Sequence, residues 1–241
     1  MISNGIPGLQ PLAVGFALAV FQLGAGAQLA TPVIPAQVCV TNGEVSRQDD
    51  GVFTIESPSS RAVVKSSDAN FGAIEFEYLG PTPEVAPLTS GPVVHQLGLK
   101  LHARDSCNVV YVMWNTDRNN GIQISTKSNP TKSTNAQCGV AGYKMIYESK
   151  PGEIPAFRVG EPRRLEAALK GRTLTVKIDG KDAWQGELAA DAVAMPGYSG
   201  IRTDNVRVRF KWLTAPADKA AQTNAPEVHC KPVVARASAR S

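Results

Sequence analysis

The sequence has few of the residues from which common catalytic and metal sites are built. Its four cysteines include no C-x-x-C pair and it has only three histidines, so no zinc-finger spacing is present. There is no H-E-x-x-H motif, no P-loop and no G-x-G-x-x-G motif. The segment from Gly197 to Gly200 lacks the spacing of a G-x-S-x-G nucleophile elbow. The usual signatures of zinc, nucleotide and serine-hydrolase sites are therefore missing.

Charge is also scarce in this chain. Charged residues make up 19% of the sequence, and the formal net charge is only +4. Nucleic-acid binders concentrate Lys and Arg on one face, whereas these residues are spread along the whole chain here. We therefore expect no nucleic-acid partner.

Residues 1–43 carry no charged side chain at all. Leu12 to Leu23 is an apolar run too short to span a bilayer comfortably, and Ala25-Gly26-Ala27 has the small-x-small pattern of a cleavage site. We predict a signal peptide over residues 1–27, cleaved before Gln28. The protein is then secreted, extracellular or periplasmic, with no stable membrane span after cleavage. Because no Lys or Arg precedes the apolar run, a buried strand or a short membrane-associated segment remains an alternative.

The rest of the chain is long enough for one good hydrophobic core. The 241 residues are 43% hydrophobic, and one β-sandwich domain over residues 28–213 fits this length. From Thr214 onwards the sequence is rich in Ala, Pro and small polar residues, so residues 214–241 are predicted to be a low-complexity tail. We expect a monomer.

Four cysteines behind a signal peptide predict two disulfides, for which three connectivities exist. We favour Cys107–Cys138, which would tie neighbouring middle strands. The remaining pair, Cys39–Cys230, would then clamp the two ends of the mature chain, which lie close together in many domains.

Short alternating segments predict an all-β fold. Leu174, Val176 and Ile178 alternate with polar residues up to the Asp179-Gly180 pair, which is typical of a hairpin turn. The same alternation in Val206 to Trp212 predicts a strand with one buried face. With about ten or eleven such strands and one short helix candidate, Leu188 to Val193, the chain is predicted to be a two-sheet antiparallel β-sandwich.

The central strand candidate, Cys107 to Asn115, is apolar on both faces and should be covered on each side. It is followed by a predicted hairpin turn at Asn119-Asn120-Gly121. Its alternation leaves open whether Tyr111 or Trp114 faces a ligand. Among the other tryptophans, Trp212 is expected in the core, and Trp184, next to a hairpin, is the best candidate of the three for an exposed aromatic.

The hairpin over residues 172–184 and the segment Gly200-Ile201-Arg202-Thr203-Asp204-Asn205 with its following strand resemble the closing strands of laminin-G-like jelly rolls. Such jelly rolls belong to the concanavalin A-like lectin and glucanase superfamily. The resemblance covers residues 52–213 approximately. It implies a concanavalin A-like jelly roll whose partner is a polysaccharide or glycan.

One further strand, Ile74 to Gly80, resembles the active-site strand of the retaining glucanases of this superfamily. That chemistry needs two carboxylates about 5–5.5 Å apart. Glu75 and Glu77 fall at two of the acidic positions, but Ala73 stands where the nucleophile should be. We therefore favour an ordinary strand with Ile74, Phe76 and Tyr78 inward and the two glutamates outward.

A polar face across the middle strands is the candidate ligand site. On a curved inner sheet these side chains would line a groove with an aromatic platform for a sugar ring. Arg202 could bind a sugar carboxylate or stack on a ring. The predicted ligand-binding residues are Lys100, His102, Tyr111, Gln123, Lys127 and Arg202, and Gln96 lies on the same face.

The corner after Arg202 offers oxygen ligands. Asp204 and Asn205 could bind Ca²⁺, the only cofactor that we consider. An equally good interpretation is a bend in which both side chains hydrogen-bond to nearby backbone.

The leading functional hypothesis is a secreted, non-catalytic carbohydrate-binding protein. The alternatives are a polysaccharide-degrading enzyme of the same fold, either a glycoside hydrolase or a lyase, and a structural protein of the cell envelope. A hydrolase needs paired carboxylates, and a lyase needs a Tyr or His base beside a cation that neutralises the uronate. His102, Tyr111 and Lys100 are the residues that could serve the lyase scheme.

Overall fold

Two stacked β-sheets form the protein. A computed structural model describes residues 30–48, 50–116, 121–140, 142–148, 150–217 and 226–236. The predicted signal peptide and the Asn119-Asn120 turn lie outside these residues. No helix within the described ranges has the length and hydrophobicity to span a membrane.

The larger sheet has ten strands in the described part of the chain. Its neighbours run in the order β11-β14-β13-β12-β6-β16-β4-β3-β17, and β1 pairs with β16 at the side. Their bounds are β1 (Thr31–Pro32), β3 (Ser46–Arg47), β4 (Phe53–Ile55), β6 (Phe71–Pro81), β11 (Lys150–Pro151), β12 (Pro162–Lys170), β13 (Thr173–Ile178), β14 (Lys181–Glu187), β16 (Val206–Thr214) and β17 (Val234–Ala235). All pairings are antiparallel except that of β17 with β3.

The smaller sheet has seven described strands, all paired antiparallel, in the order β10-β9-β8-β7-β15-β5-β2. Their bounds are β2 (Val38–Asn42), β5 (Ser59–Val64), β7 (Gln96–Ala103), β8 (Asn108–Asn115), β9 (Ile122–Ser128), β10 (Lys144–Ile146) and β15 (Tyr198–Asp204). The predicted two-sheet antiparallel sandwich is confirmed.

Helical structure is short wherever the chain is described. It comprises a 3₁₀ turn at Pro35–Gln37, α1 (Asn135–Cys138) and α2 (Ala190–Val193). Only α2 falls in a predicted helix segment. The predicted β13–β14 hairpin is present, and Asp179 and Gly180 at its turn have φ of 51° and 81°, as a tight hairpin turn requires.

The core lies between the sheets. Leu97, Leu99 and Leu101 of β7 are fully buried there, because side chains of alternate residues point to the same face. Trp114 packs edge-on against Phe76 and Phe157, with ring centroids 6.0 and 4.8 Å away.

The structure shows that all three tryptophans are buried. Trp212 is in the core, as predicted. The expectation for Trp184 is wrong, since only 3% of this residue is exposed. After the hairpin turn, β14 pairs with β13 so that Trp184 lies opposite Val176 and points into the core. Trp114 also points into the core, which places Tyr111 on the other face of β8.

The glucanase-like strand is β6, and its carboxylates point to solvent as we favoured. Glu75 pairs with Arg164 at 2.9 Å, and Glu77 lies 3.6 Å from Arg209. Ala73 is fully buried in a small outer cluster with Phe71 and Ala215. These acidic residues therefore belong to the larger sheet and have ordinary ion-pair partners.

Both predicted disulfides are present, Cys39–Cys230 and Cys107–Cys138. The first holds the described part of the predicted tail against the smaller sheet. There Val40 and Lys231 form a backbone bridge. Farther along, Arg236 pairs with Glu44 and Glu56. Residues 226–236 thus pack on the domain.

Candidate functional site

The outer face of the smaller sheet brings distant residues into neighbouring rows. In one row, Lys100 on β7 lies between Tyr111 on β8 and Gly200 on β15. Two residues along each strand, Arg202 on β15 lies between Gly98 on β7 and Arg61 on β5. Cross-strand partners share a face of the sheet, so the register places these cationic side chains together with Tyr111.

Gly98 and Gly200 let neighbouring strands approach closely beside Arg202 and Lys100. A Cβ at Gly98 would lie 2.0 Å from the carbonyl oxygen of Val112, and one at Gly200 would lie 2.4 Å from that of Ala62. No side chain fits at either position without moving the backbone. The close approach of the strands beside these two cations therefore requires glycine at both positions.

Loops convert this face into a groove of about 910 Å³. One wall comes from residues 86–90, in the proline-rich loop before β7. A second comes from residues 133–135 with Tyr143 and Met145, and a third from residues 227–229 of the tail. Four predicted ligand-binding residues line the groove, namely Lys100, Tyr111, Gln123 and Arg202.

Asp204 connects the cations at one end of the groove. Its Oδ1 accepts a hydrogen bond from Arg61 Nη2 at 3.0 Å. Its Oδ2 accepts from Gln96 Nε2 and Arg202 Nε, both at 2.8 Å. Burial disfavours the charged form of Arg202, but the adjacent Asp204 carboxylate more than offsets this and holds the pKa of Arg202 above its usual value. The Arg202 guanidinium is therefore charged, and the Asp204 carboxylate holds both guanidinium groups in position.

Two tyrosines continue the site beside this charge network. The Arg202 guanidinium lies 4.7 Å from the centroid of the Tyr111 ring, a cation–π contact. The Tyr143 ring is 6.0 Å from that of Tyr111 and inclined to it by 29°. Tyr111 is 4% exposed, whereas Tyr143 is 36% exposed. Tyr143 is thus the ring that a bound molecule can reach.

Lys100 is the unusual group of the groove. It is 6% exposed, and within the described part of the chain its ammonium group has no hydrogen-bond or ion-pair partner. Burial lowers its pKa from 10.5 to about 7, and the charges of Arg61 and Arg202 act in the same direction, while Asp105 opposes them. Lys100 therefore changes its charge near neutral pH.

His102, a predicted ligand-binding residue, does not line the groove. Its φ of 47° interrupts the regular strand geometry of β7. Its Nδ1 lies 2.6 Å from the carbonyl oxygen of Met195, and its Nε2 lies 3.0 Å from Asn70 Oδ1. Burial lowers the pKa of this imidazole. These two contacts hold the His102 side chain outside the groove.

Lys127 also lies outside the groove lining. It is fully buried beneath the loop held by the Cys107–Cys138 disulfide. Its Nζ donates to Ser106 O at 3.1 Å and to Asn135 Oδ1 at 3.2 Å, and it lies 4.4 Å from the centroid of the Tyr143 ring. Burial lowers the pKa of Lys127. Its contacts hold the wall of the groove, including Tyr143, in place.

The predicted calcium ligands have protein partners. Asp204 accepts the three hydrogen bonds described above. Asn205 Oδ1 accepts from the backbone N–H of Ala86 at 2.7 Å, and its Nδ2 donates to Ala86 O and Val94 O, both at 2.9 Å. In the described residues no three His, Cys, Asp or Glu side chains form a metal-binding group. Asn205 anchors the proline-rich loop; calcium binding stays a prediction.

Two contributors to the site, Arg61 and Tyr143, were not among the predicted residues. Arg61 alternates with the buried Ala62 and Val64 in β5, so its outward direction was readable from the sequence. Tyr143 precedes the three-residue strand β10 in a segment with no clear periodicity. Its position depends on the loop fold.

No protein-family model matches the sequence, and no curated protein matches it significantly. Solved structures do resemble the protein. The carbohydrate binding module CBM66 from Bacillus subtilis aligns with a TM-score of 0.53 and 11% identity, covering 75% of this chain and 96% of the module. The galectin LEC-6 of Caenorhabditis elegans aligns with a TM-score of 0.40 and 11% identity, covering 68% of this chain and 95% of the galectin.

The chain has a concanavalin A-like jelly-roll fold. This identification rests on the two-sheet topology and on the first of these alignments. At 11% identity this alignment shows the fold alone.

Proposed function

We propose that the protein is a secreted, non-catalytic glycan-binding module and that the groove is its binding site. The observation that carries the proposal is the convergence of Lys100, Arg202, Tyr111 and Gln123 with the half-exposed Tyr143 in one groove. Sugar-binding sites combine an aromatic face for the ring with fixed polar groups that set its orientation. The groove offers both.

The carboxylates of the groove argue against a glycoside hydrolase. Among the described lining residues they are Asp105, Asp204 and Glu227. Asp204 accepts three side-chain hydrogen bonds. Asp105 accepts from the backbone N–H of Cys107 and from the Asn108 side chain. Only Glu227 remains uncommitted, whereas hydrolysis needs a matched pair of carboxylates.

A polysaccharide lyase is the second candidate, and one observation favours it. With a pKa of about 7, Lys100 is available as a neutral amine that can take a proton near neutral pH. The neighbouring Arg61 and Arg202 would neutralise the uronate. His102 cannot serve as the base in this arrangement because it lies outside the groove, and burial raises the pKa of Tyr111.

Glycan binding is tested with an array of polysaccharides, followed by titration calorimetry on the hits. Tyr143→Ala should weaken binding by roughly fivefold, as expected for about 1 kcal/mol of aromatic contact. Tyr147→Ala is the matched control, because Tyr147 is 82% exposed and does not line the groove. An array without hits would contradict the proposal. Release of unsaturated oligosaccharides would favour the lyase.

A further inference from the structure

The cations of the groove exceed its available anions. Arg61 and Arg202 share the single carboxylate of Asp204. One of their two positive charges is therefore left without compensation, and the protonated Lys100 adds a second. The other titratable groups that line the groove are Arg104, Asp105, Tyr111, Tyr143, Glu227 and His229.

The other carboxylates do not neutralise this excess. Asp105 is 3.6 Å from Arg104 and is held by Asn108, so it already has a cation of its own. Glu227 is exposed on the rim. A buried charge without a partner is costly, and a cation that persists in such a place is a marker of a functional site.

We propose that the groove selects acidic polysaccharides, with the carboxylate or sulfate of one sugar unit bound at Lys100 beside Arg202 and Arg61. This inference rests on the proposed glycan-binding function and specifies its ligand. Tyr143 supplies the face on which the neighbouring ring packs.

Binding of an anion at Lys100 must be coupled to protonation. The anion stabilises the ammonium form, so it raises the pKa of Lys100 from its value of about 7 in the free protein. Between pH 7 and the new pKa the protein takes up a proton on binding. Affinity then falls as the pH rises, by up to about tenfold per pH unit. Below pH 7 Lys100 is already charged, and the dependence on its titration disappears.

Calorimetry with three polysaccharides tests the inference: polygalacturonate fragments carry carboxylates, dextran sulfate carries sulfates, and dextran carries neither. At pH 6, Lys100→Met should lose at least about tenfold in affinity for the acidic chains. Lys211→Met removes the same charge from an exposed position of β16 in the other sheet, and it should bind like the wild type. If the wild type binds one acidic chain more tightly than the other, the preferred chain shows whether the site takes a carboxylate or a sulfate.

The pH dependence gives an independent readout. From pH 7 to 9, wild-type affinity should fall and titrations in buffers of different ionisation enthalpy should report proton uptake, whereas Lys100→Arg should bind without this dependence. Equal binding of dextran and the acidic chains, or unchanged affinity of Lys100→Met, would overturn the inference and leave glycan binding intact. Failure to bind any polysaccharide, with array and calorimetry both negative, would overturn the proposed function as well.

Discussion

Replacing Lys100 by Met should stabilise the fold. Met keeps an unbranched side chain of similar length and removes the buried ammonium. The fall in the Lys100 pKa from 10.5 to about 7 measures the cost of that ammonium, at about 1.4 kcal/mol for each pH unit. Below pH 7, where both the folded and unfolded states carry the charge, the wild type should therefore be less stable than Lys100→Met by about 5 kcal/mol.

The difference should shrink as the pH rises. Between pH 7 and 10.5 the unfolded chain keeps the Lys100 proton and the folded protein does not, so the unfolded state binds more protons. The free energy of unfolding of the wild type then rises with pH relative to the variant, by up to about 1.4 kcal/mol per pH unit. At pH 9 the gap should be about 2 kcal/mol.

Urea denaturation at pH 6, 7, 8 and 9, with the disulfides intact, measures this gap. Comparing variant with wild type at each pH cancels the contributions of other titrating groups. The matched control is Lys211→Met, which should change stability by less than about 0.5 kcal/mol at every pH. A gap that stays constant or grows with pH would refute the reasoning, since the cost would then not come from the buried charge.

Three further predictions concern the frame of the groove. Replacing both cysteines of a disulfide by Ser should lower the free energy of unfolding by about 5 kcal/mol for Cys39–Cys230 and by about 4 kcal/mol for Cys107–Cys138. The difference arises because the closed loops span 191 and 31 residues. The reverse order in thermal denaturation would contradict the loop-entropy argument. Asn205→Ala should lower the free energy of unfolding by about 3 kcal/mol, because three hydrogen bonds are lost. It should also speed hydrogen exchange at Ala86, whose N–H donates to the Asn205 side chain. Unchanged exchange would show that the loop has another anchor. Glu75→Gln with Glu77→Gln should leave glycan binding unchanged and stability within about 1 kcal/mol, because these side chains point to solvent from the larger sheet; loss of binding would place the ligand elsewhere.

Part of the site was already contained in the sequence. Lys100 and Gln96 alternate with leucines that must be buried, so they had to point to the opposite face of their strand. The same period places Arg202 on the outward face of its strand. Local alternation, however, assigns a face only relative to the strand itself, which is why Tyr111 and Trp114 could not be told apart until both sheets were in place.

The sequence alone determined the strand pattern, the β13–β14 hairpin and the candidate cations, because these depend on residue period and on local turn chemistry. The tertiary structure decided which residues meet. Arg61 lies opposite Arg202 across β5 and β15, although 141 positions separate their numbers in the chain, because the sheet register pairs the two strands. The tertiary structure also keeps His102 and Lys127 out of the groove. His102 has a positive φ, and Lys127 is held beneath the disulfide-linked loop. Lys100 acquired its low pKa only from this assembly, since desolvation and two neighbouring guanidinium groups act on it in the folded protein alone.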